Sequence, residues 1–166
     1  GSSAEVVGFL LKNKAEVDAR SAANDWGNQI TSEPRAQYRP AGGLTALLYA
    51  TRSGCVECAK LLLKAGADIN RPTPEGVTPL MNAIDNNGYE LANFLLDQGA
   101  NPHLSDWWGR TALYLAVDMR TRGSARGAPA EFRSSQGAAP RQPQADALKL
   151  AQRLLALPVP VDMVVV

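Results

Sequence analysis

Residues 76–80 read Gly-Val-Thr-Pro-Leu, and this short pattern decides the fold because it recurs at a fixed spacing. Gly-Leu-Thr-Ala-Leu stands 33 residues earlier, at 43–47, and Gly-Arg-Thr-Ala-Leu stands 33 residues later, at 109–113. A second pattern has the same offset, since Leu-Leu-Lys-Ala-Gly-Ala-Asp at 62–68 matches Leu-Leu-Asp-Gln-Gly-Ala-Asn at 95–101. A constant period of this length is typical of repeat proteins, in which each unit buries its apolar face against the next.

Each period predicts two helices. Thr78 follows a glycine turn, and threonine is a preferred residue for capping the start of a helix. Leu80, Ala83 and Ile84 then lie at i, i+3 and i+4, which predicts a short first helix with one apolar face. A second helix follows and ends at the glycine of the second pattern. The equivalent apolar stripes are Leu47, Ala50 and Thr51 in the preceding unit and Leu113, Ala116 and Val117 in the following one.

These motifs resemble the ankyrin repeat, namely Gly-x-Thr-Pro-Leu-x-x-Ala followed by Leu-Leu-Leu-x-x-Gly-Ala-Asp-x-Asn at a period of 33, and the resemblance covers residues 40–120. The resemblance implies an all-α ankyrin-repeat solenoid of stacked helix pairs joined by hairpin loops. It also implies a concave recognition surface with no chemistry of its own. We therefore expect a protein–protein interaction module, with no enzymatic activity, no cofactor and no metal.

The repeat frame predicts a single domain over residues 1–166 with two interruptions. An inserted loop at 20–39 lengthens the first hairpin by 19 residues, and it either contacts a partner or, as the favoured interpretation, folds onto its own scaffold. An insertion of 26 residues separates the two helices of the last unit. The predicted parts are a half repeat at 1–19, full repeats at 40–71 and 72–104, and a split repeat at 105–119 plus 145–162 with a flexible arm at 120–144.

The pattern at 1–19 predicts the second helix of a repeat unit without the first helix of that unit. Lys14 stands where the full units have Gly66 and Gly99, and a left-handed backbone would cost a lysine roughly 1 kcal/mol, so we expect this turn to differ. Uncapped apolar residues at both ends of the stack predict possible self-association. These residues are Val6, Val7, Leu10 and Leu11 at one end and 164–166 at the other.

Composition restricts the class of protein further. Hydrophobic residues make up 45% and charged residues 20%, and the net charge is +1, which is ordinary for a soluble globular protein. One histidine and two cysteines do not supply the usual four-ligand zinc site. No apolar run approaches the ~18 residues of a membrane span. No signal peptide is visible, so a cytoplasmic location is the default expectation.

The arm at 120–144 carries five arginines and one glutamate, a local charge of +4 that leaves the rest of the chain at −3. Its other residues are mainly Gly, Ala, Pro, Ser and Gln, which cannot form a core of their own. Nucleic-acid contact through this arm is therefore an alternative function. Because no aromatic residues alternate with the arginines, we regard nucleic acid as an unlikely partner and a solvated loop as the better interpretation.

Cys55-Val56-Glu57-Cys58 suggests a second alternative, a redox or metal-sensing module. In the repeat frame, however, Cys58 takes the apolar position of Leu91 and Cys55 the position of Gly88. Packed structural cysteines are therefore favoured. His103 has no nearby base or second ligand, and Asp106 is predicted to form the hairpin turn.

The candidate partner-binding residues follow from the resemblance, because the ankyrin family varies its hairpin tips and helix surfaces to suit its partners. Trp107 and Trp108 stand at such a tip, and tryptophan is enriched in binding hot spots. The other candidates mix both signs of charge and give no continuous basic track for DNA. They are Arg52, Arg71, Glu75, Asp85, Asn86, Arg110 and Asp118.

Overall fold

The computed structural model describes residues 2–22, 42–122 and 143–158, and for 119–122 and 143–144 it describes the backbone alone. These residues form seven α-helices, in agreement with the predicted all-α repeat fold. The helices are α1 (Ser3–Lys12), α2 (Ala46–Ser53), α3 (Val56–Lys64), α4 (Pro79–Asp85), α5 (Tyr89–Asp97), α6 (Ala112–Arg122) and α7 (Pro143–Ala156).

The helices stack as antiparallel pairs along one axis. α2 packs on α3, α4 on α5 and α6 on α7, and each pair forms one repeat unit. The first helices α2, α4 and α6 also contact one another in a row, whereas α1 packs on α3 as a second helix without a first helix beside it in the described chain. The repeat period therefore predicted the helix pairs correctly.

Threonine starts each first helix, as the sequence predicted. The side-chain oxygens of Thr45, Thr78 and Thr111 each accept a hydrogen bond from the backbone N–H three residues later, at 3.3 Å. These bonds satisfy one of the free amides that every helix N-terminus exposes. The caps fix where each first helix begins and hence its register against the neighbouring unit.

The core runs through the stack as one continuous row of apolar side chains. The helix pairs bury their leucines and alanines against each other, so each unit completes its core with its neighbour. Asn82 adds a polar link within the first-helix row, because its Nδ2 donates to the Leu48 carbonyl and to Thr51 Oγ1, both at 2.9 Å. The largest fully buried residues include Leu47, Leu48, Leu80, Met81, Ile84, Leu91, Leu95 and Leu150.

Three details of the structure differ from the sequence predictions. Lys14 does adopt the left-handed conformation, with φ of 60°, so the expected departure at this turn was wrong. Val117, predicted to lie in a packed stripe, is exposed because no described helix packs on the outer side of α6. In addition, α6 continues to Arg122 and α7 begins at Pro143, so both helices include residues of the predicted arm. The remainder of that arm, 123–142, and the loop residues 23–39 lie outside the described residues.

Candidate functional site

Three hairpins form one edge of the stack, and we call their row the hairpin edge. Each hairpin is closed by the same backbone bond, from Ser21 N to Leu44 O, from Thr73 N to Val77 O and from Asp106 N to Arg110 O, at 2.9 to 3.0 Å. A side-chain oxygen of the first residue then accepts a bond from the N–H of the last, at 2.9 to 3.1 Å. In the first hairpin, the closing residues Ser21 and Leu44 flank the inserted loop in the sequence, and their bonds match those of the two uninterrupted hairpins.

The third hairpin is fixed from within by a buried carboxylate. Asp106 Oδ1 accepts hydrogen bonds from the backbone N–H groups of Trp108 at 3.0 Å and Arg110 at 2.9 Å. Asp106 Oδ2 accepts from Arg110 Nε at 2.8 Å and from a terminal guanidinium nitrogen at 2.7 Å. The predicted turn role of Asp106 is confirmed, and its bonds to two backbone N–H groups and to the Arg110 side chain stabilise the hairpin backbone.

The second hairpin contacts the third and stabilises it. The backbone N–H of Trp107 donates to the Glu75 carbonyl at 2.9 Å. Gly76 has φ of 84°, and a Cβ there would lie 3.1 Å from Asp106 Cα, so only glycine allows the two hairpins to come this close. The tip at residues 107–108 is thus held both by its own hairpin and by its neighbour.

This support presents two tryptophans to solvent. Trp107 is 70% exposed and Trp108 49% exposed. The Arg110 guanidinium carbon lies 4.8 Å from the centre of the Trp108 ring, a cation–π arrangement. Since Asp106 already holds Arg110, the Trp108 ring is backed by an anchored side chain, whereas Trp107 extends freely from the rigid tip.

The other predicted partner-binding residues fall into two groups. Glu75 belongs with the tryptophans and Arg110 at the hairpin edge, and so does the partly exposed Arg71, whose Nε is buried and has no hydrogen-bond partner among the described residues. The second group, which we call the helix-end group, lies about 10 Å from the hairpin edge, the length of one short helix at the usual rise per residue. It consists of Arg52 in the last turn of α2, Asp85 and Asn86 at the end of α4, and the partly exposed Asp118 in α6.

Exposed aromatic residues that the sequence did not single out lie at the two ends of the stack. Tyr49 occupies the position of Asn82, whose side chain reaches back to the preceding first helix; α2 has no such helix before it in the described chain. Tyr114 occupies the position of Met81, which the following unit buries. The remaining exposed apolar residues at these ends are Val6, Phe9 and Leu10 on α1, Val117 on α6 and Leu155 on α7. Self-association through these ends stays a prediction.

A row of side chains also links consecutive units beside the hairpins. Asp18 accepts a hydrogen bond from the backbone N–H of Asp68 at 3.2 Å, and Asn70 accepts one from Asn101 at 2.8 Å, which is the same contact one unit further on. His103 continues the row, with Nε2 lying 3.2 Å from the Pro158 carbonyl. This contact gives His103 a structural role next to the last unit.

The two cysteines differ from the favoured sequence interpretation. Cys55 and Cys58 are joined by a disulfide at the start of α3, so the prediction of two packed thiols was wrong. The repeat frame had placed both residues correctly, since Cys58 is buried in the core and Cys55 caps the helix. Burial and helix entry are properties of position, and they leave the oxidation state of the sulfur atoms undetermined.

Within residues 2–22, 42–122 and 143–158, no group of three or more His, Cys, Asp or Glu side chains is arranged to hold a metal ion. None of the helices in the same ranges is long and apolar enough to cross a membrane.

Stacked helix pairs with a projecting hairpin edge define a solenoid of the repeat-protein class. The family model described as ankyrin repeats, in three copies, matches residues 1–106, which is more than half of the chain. The chain belongs to the ankyrin repeat family. The match includes the half repeat and the inserted loop, both outside the range over which the sequence motifs were recognised.

Curated relatives carry the same repeats. The B-cell lymphoma 3 protein homolog of Mus musculus is 41% identical over 81 residues, which are 48% of this chain and 18% of that protein. A putative ankyrin repeat-containing protein of Treponema pallidum is 41% identical over 68 residues, 41% of this chain and 23% of its own length. Human protein phosphatase 1 regulatory subunit 27 is 44% identical over 59 residues, 36% of this chain and 38% of its own. The chain therefore matches well under half the length of each of these relatives.

Proposed function

We propose that this chain binds a partner protein through the hairpin edge, with Trp107 as the principal anchor and the helix-end group as a second contact. Ankyrin repeats are generally protein-interaction modules without enzymatic activity, and the homologues include regulators. One relative is named as a regulatory subunit of protein phosphatase 1, which supports binding of a protein as the role of such repeats. The proposal assigns this chain no catalytic step.

The observation that carries the proposal is a largely exposed tryptophan on a rigid support. Trp107 is the most exposed of the large apolar side chains in the described residues, and its hairpin is fixed by the buried Asp106 and by the contact with Glu75. An apolar side chain on an ordered backbone loses little conformational freedom on binding. Such pre-organised aromatic residues are typical of interface hot spots.

The chemistry around Trp107 favours a partner with an apolar cleft bordered by charge of both signs. The indole ring would fill the cleft, while Glu75 lies beside Trp107 on the preceding hairpin and Arg71 stands two residues before that hairpin begins. Arg110 is largely neutralised by Asp106, so it contributes a stacking surface more than free charge. The affinity should therefore depend on the aromatic surface more than on ionic strength.

Affinity capture with four forms of the protein tests this proposal. The wild type, Trp107→Ala and Trp108→Ala are compared with Tyr114→Ala, a matched control that removes an aromatic side chain of similar exposure at the end of the stack. For a partner captured by the wild type, we expect Trp107→Ala to weaken binding by about 30-fold, Trp108→Ala by less and Tyr114→Ala not at all. Equal binding by the wild type and both tryptophan variants would contradict the proposal, and so would a loss confined to Tyr114→Ala.

Nucleic-acid contact through the arginine-rich arm stays an untested alternative, because residues 123–142 lie outside the described part of the chain.

A further inference from the structure

We propose that Cys55 and Cys58 form a redox site that cycles between disulfide and dithiol in the folded protein, with Cys55 as the sulfur that exchanges with external thiols. Cys55 lies in the turn between α2 and α3, and Cys58 lies in the first turn of α3, at the opposite ends of the helices from the hairpin edge. The site therefore lies away from the hairpin edge and Trp107, whereas Arg52 of the helix-end group stands three residues before Cys55. The tests below measure thiol chemistry without a partner, so this proposal and the partner-binding proposal can fail independently.

The two sulfur atoms have different environments. Cys58 is 3% exposed and belongs to the apolar core, whereas Cys55 is partly exposed at the surface of the turn. An external thiolate must reach a sulfur atom to attack a disulfide, so attack is directed to Cys55. A partly exposed cysteine bonded to a buried one is an arrangement suited to reversible exchange, because the buried partner stays close enough to re-form the bond.

A hydrogen bond favours the reduced state of Cys55 as well. Cys55 is the N-terminal capping residue of α3, and its Sγ accepts a hydrogen bond from the Cys58 backbone N–H at 3.2 Å. In the dithiol state, this N–H and the positive end of the helix dipole would stabilise a Cys55 thiolate. A thiolate is the form that attacks a disulfide, so the same geometry serves oxidation and reduction.

The next repeat shows that this turn folds without a disulfide. Gly88 and Leu91 occupy the positions of Cys55 and Cys58, and α5 begins there with no side-chain cap at all. Leu91 is as fully buried as Cys58. Since the helix pair forms equally with glycine and leucine, the covalent bond is dispensable for the fold, and its reduction should leave the stack folded.

The exchange is a two-electron reaction with a dithiol as the reductant. Its first thiolate attacks Cys55 Sγ, the Cys55–Cys58 bond breaks, and Cys58 leaves as a thiolate that takes up the proton released by the attacking thiol. The second thiol of the reductant, as thiolate, then attacks its own sulfur in the mixed disulfide. Cys55 leaves with the electron pair and takes up the second proton, so the protein gains two thiols and the reductant becomes a disulfide.

The first test measures whether reduction needs unfolding. The folded protein is placed in dithiothreitol, samples are alkylated at intervals, and the mass of the Cys55–Cys58 peptide reports its state. We expect a reduction rate that rises in proportion to dithiothreitol concentration and exceeds the rate of global unfolding, and we expect full reoxidation by oxidised glutathione. A structural disulfide would be reduced only at the unfolding rate, and that result would overturn the proposal, as would thiols that fail to reoxidise.

The second test assigns the exchanging sulfur. Cys58→Ala and Cys55→Ala, each with one cysteine, are incubated with oxidised glutathione, and the glutathione adduct is measured by mass spectrometry. Cys55 should form the adduct on the order of a hundredfold faster than Cys58, since a buried thiol reacts only when the core opens locally. The double variant Cys55→Gly with Cys58→Leu, which copies the next repeat, should fold and form no adduct. Equal or reversed rates would show that Cys55 is not the exchanging residue.

Discussion

Leu10, Leu62 and Leu95 hold the same position in α1, α3 and α5, yet their environments differ completely. Leu62 and Leu95 are 2% and 0% exposed, whereas Leu10 is 48% exposed. The difference is not in the residue but in its neighbour, because α3 and α5 each pack on a first helix and α1 has none in the described chain. In a repeat stack, the sequence pattern predicts which residues can be buried. Packing against the adjacent unit determines whether they are buried.

The other end of the stack shows the same effect. Leu48 and Met81 are buried by the unit that follows, while Tyr114 in the equivalent position of α6 is 51% exposed. Both ends expose residues whose counterparts in the middle form the core. The stability of each unit is therefore a property of its interfaces as much as of its own helices.

The largest effect should come from truncating equivalent leucines in the middle and at the end. Leu95→Ala should lower the free energy of unfolding by about 2–5 kcal/mol, because it leaves a cavity between α4 and α5. Leu10→Ala should lower it by about 1 kcal/mol or less, since half of that side chain is already in water. Urea denaturation of the two variants measures both values. Similar losses in the two would show that the end helix is packed as tightly as the middle.

A second pair of equivalent residues tests the contact between hairpins. Gly76 and Gly109 both have positive φ, so alanine at either should cost about 1–2 kcal/mol from backbone strain. Gly76→Ala should cost a further 1–3 kcal/mol or so, because its Cβ would press on Asp106 and Trp107, whereas a Cβ at Gly109 meets nothing within 4 Å. Thermal unfolding of the two variants checks the order. If Gly109→Ala is the more damaging, the second hairpin does not support the third.

The smallest effect concerns the ionisation of Tyr89, the first residue of α5. Burial, and secondarily the charge of Asp146, raises the pKa of the Tyr89 hydroxyl above its usual value. Because the folded-state pKa exceeds the unfolded one, this effect leaves stability unchanged below about pH 10 and lowers it as the pH rises from there towards the folded-state pKa.

Tyr89→Phe should therefore reduce the alkaline loss of stability while costing little at neutral pH, where only the bond from the hydroxyl to Asn87 is lost. The measurement is urea denaturation between about pH 8 and pH 11. Tyr49→Phe, which removes the hydroxyl of an exposed tyrosine on α2, is the reference variant with which the alkaline slope of Tyr89→Phe is compared. An unchanged slope in Tyr89→Phe would mean that its hydroxyl ionises as readily in the folded protein as in the unfolded one.

The sequence determined the fold to the level of individual caps and turns. Thr45, Thr78 and Thr111 cap the first helices, and Asp106 shapes its hairpin, because these roles depend on bonds to backbone atoms only a few residues away. Because the sequence has a fixed period, the same local signal recurs in successive repeat units, and each occurrence supports the same prediction. The helix pairs were predictable for the same reason.

Two kinds of feature were not predictable: backbone strain that hydrogen bonds offset, and burial that depends on helices distant in the sequence. Lys14 accepts a left-handed backbone because Lys14 N and Ala15 N donate to the carbonyls of Leu11 and Leu10, the same pair of bonds that Gly66 and Ala67 make. The exposure of Tyr114 and Val117 depends on which helices follow α6. At the candidate site, the sequence identified Trp107 and Trp108. The stacking of Arg110 against the Trp108 ring became visible only in the structure.

The closing bonds of the first hairpin make it a natural graft point. Ser21 and Leu44 exchange hydrogen bonds at 2.9 and 3.0 Å, so the chain leaves and re-enters the scaffold at nearly one place. A cargo with adjacent termini, such as a reporter domain or an epitope, could replace the intervening residues without altering the spacing of the helices. For a flexible insert at this position, doubling its length would cost only about 0.6 kcal/mol of closure entropy. The closing bonds thus allow the displayed segment to change while the helices of the stack keep their positions.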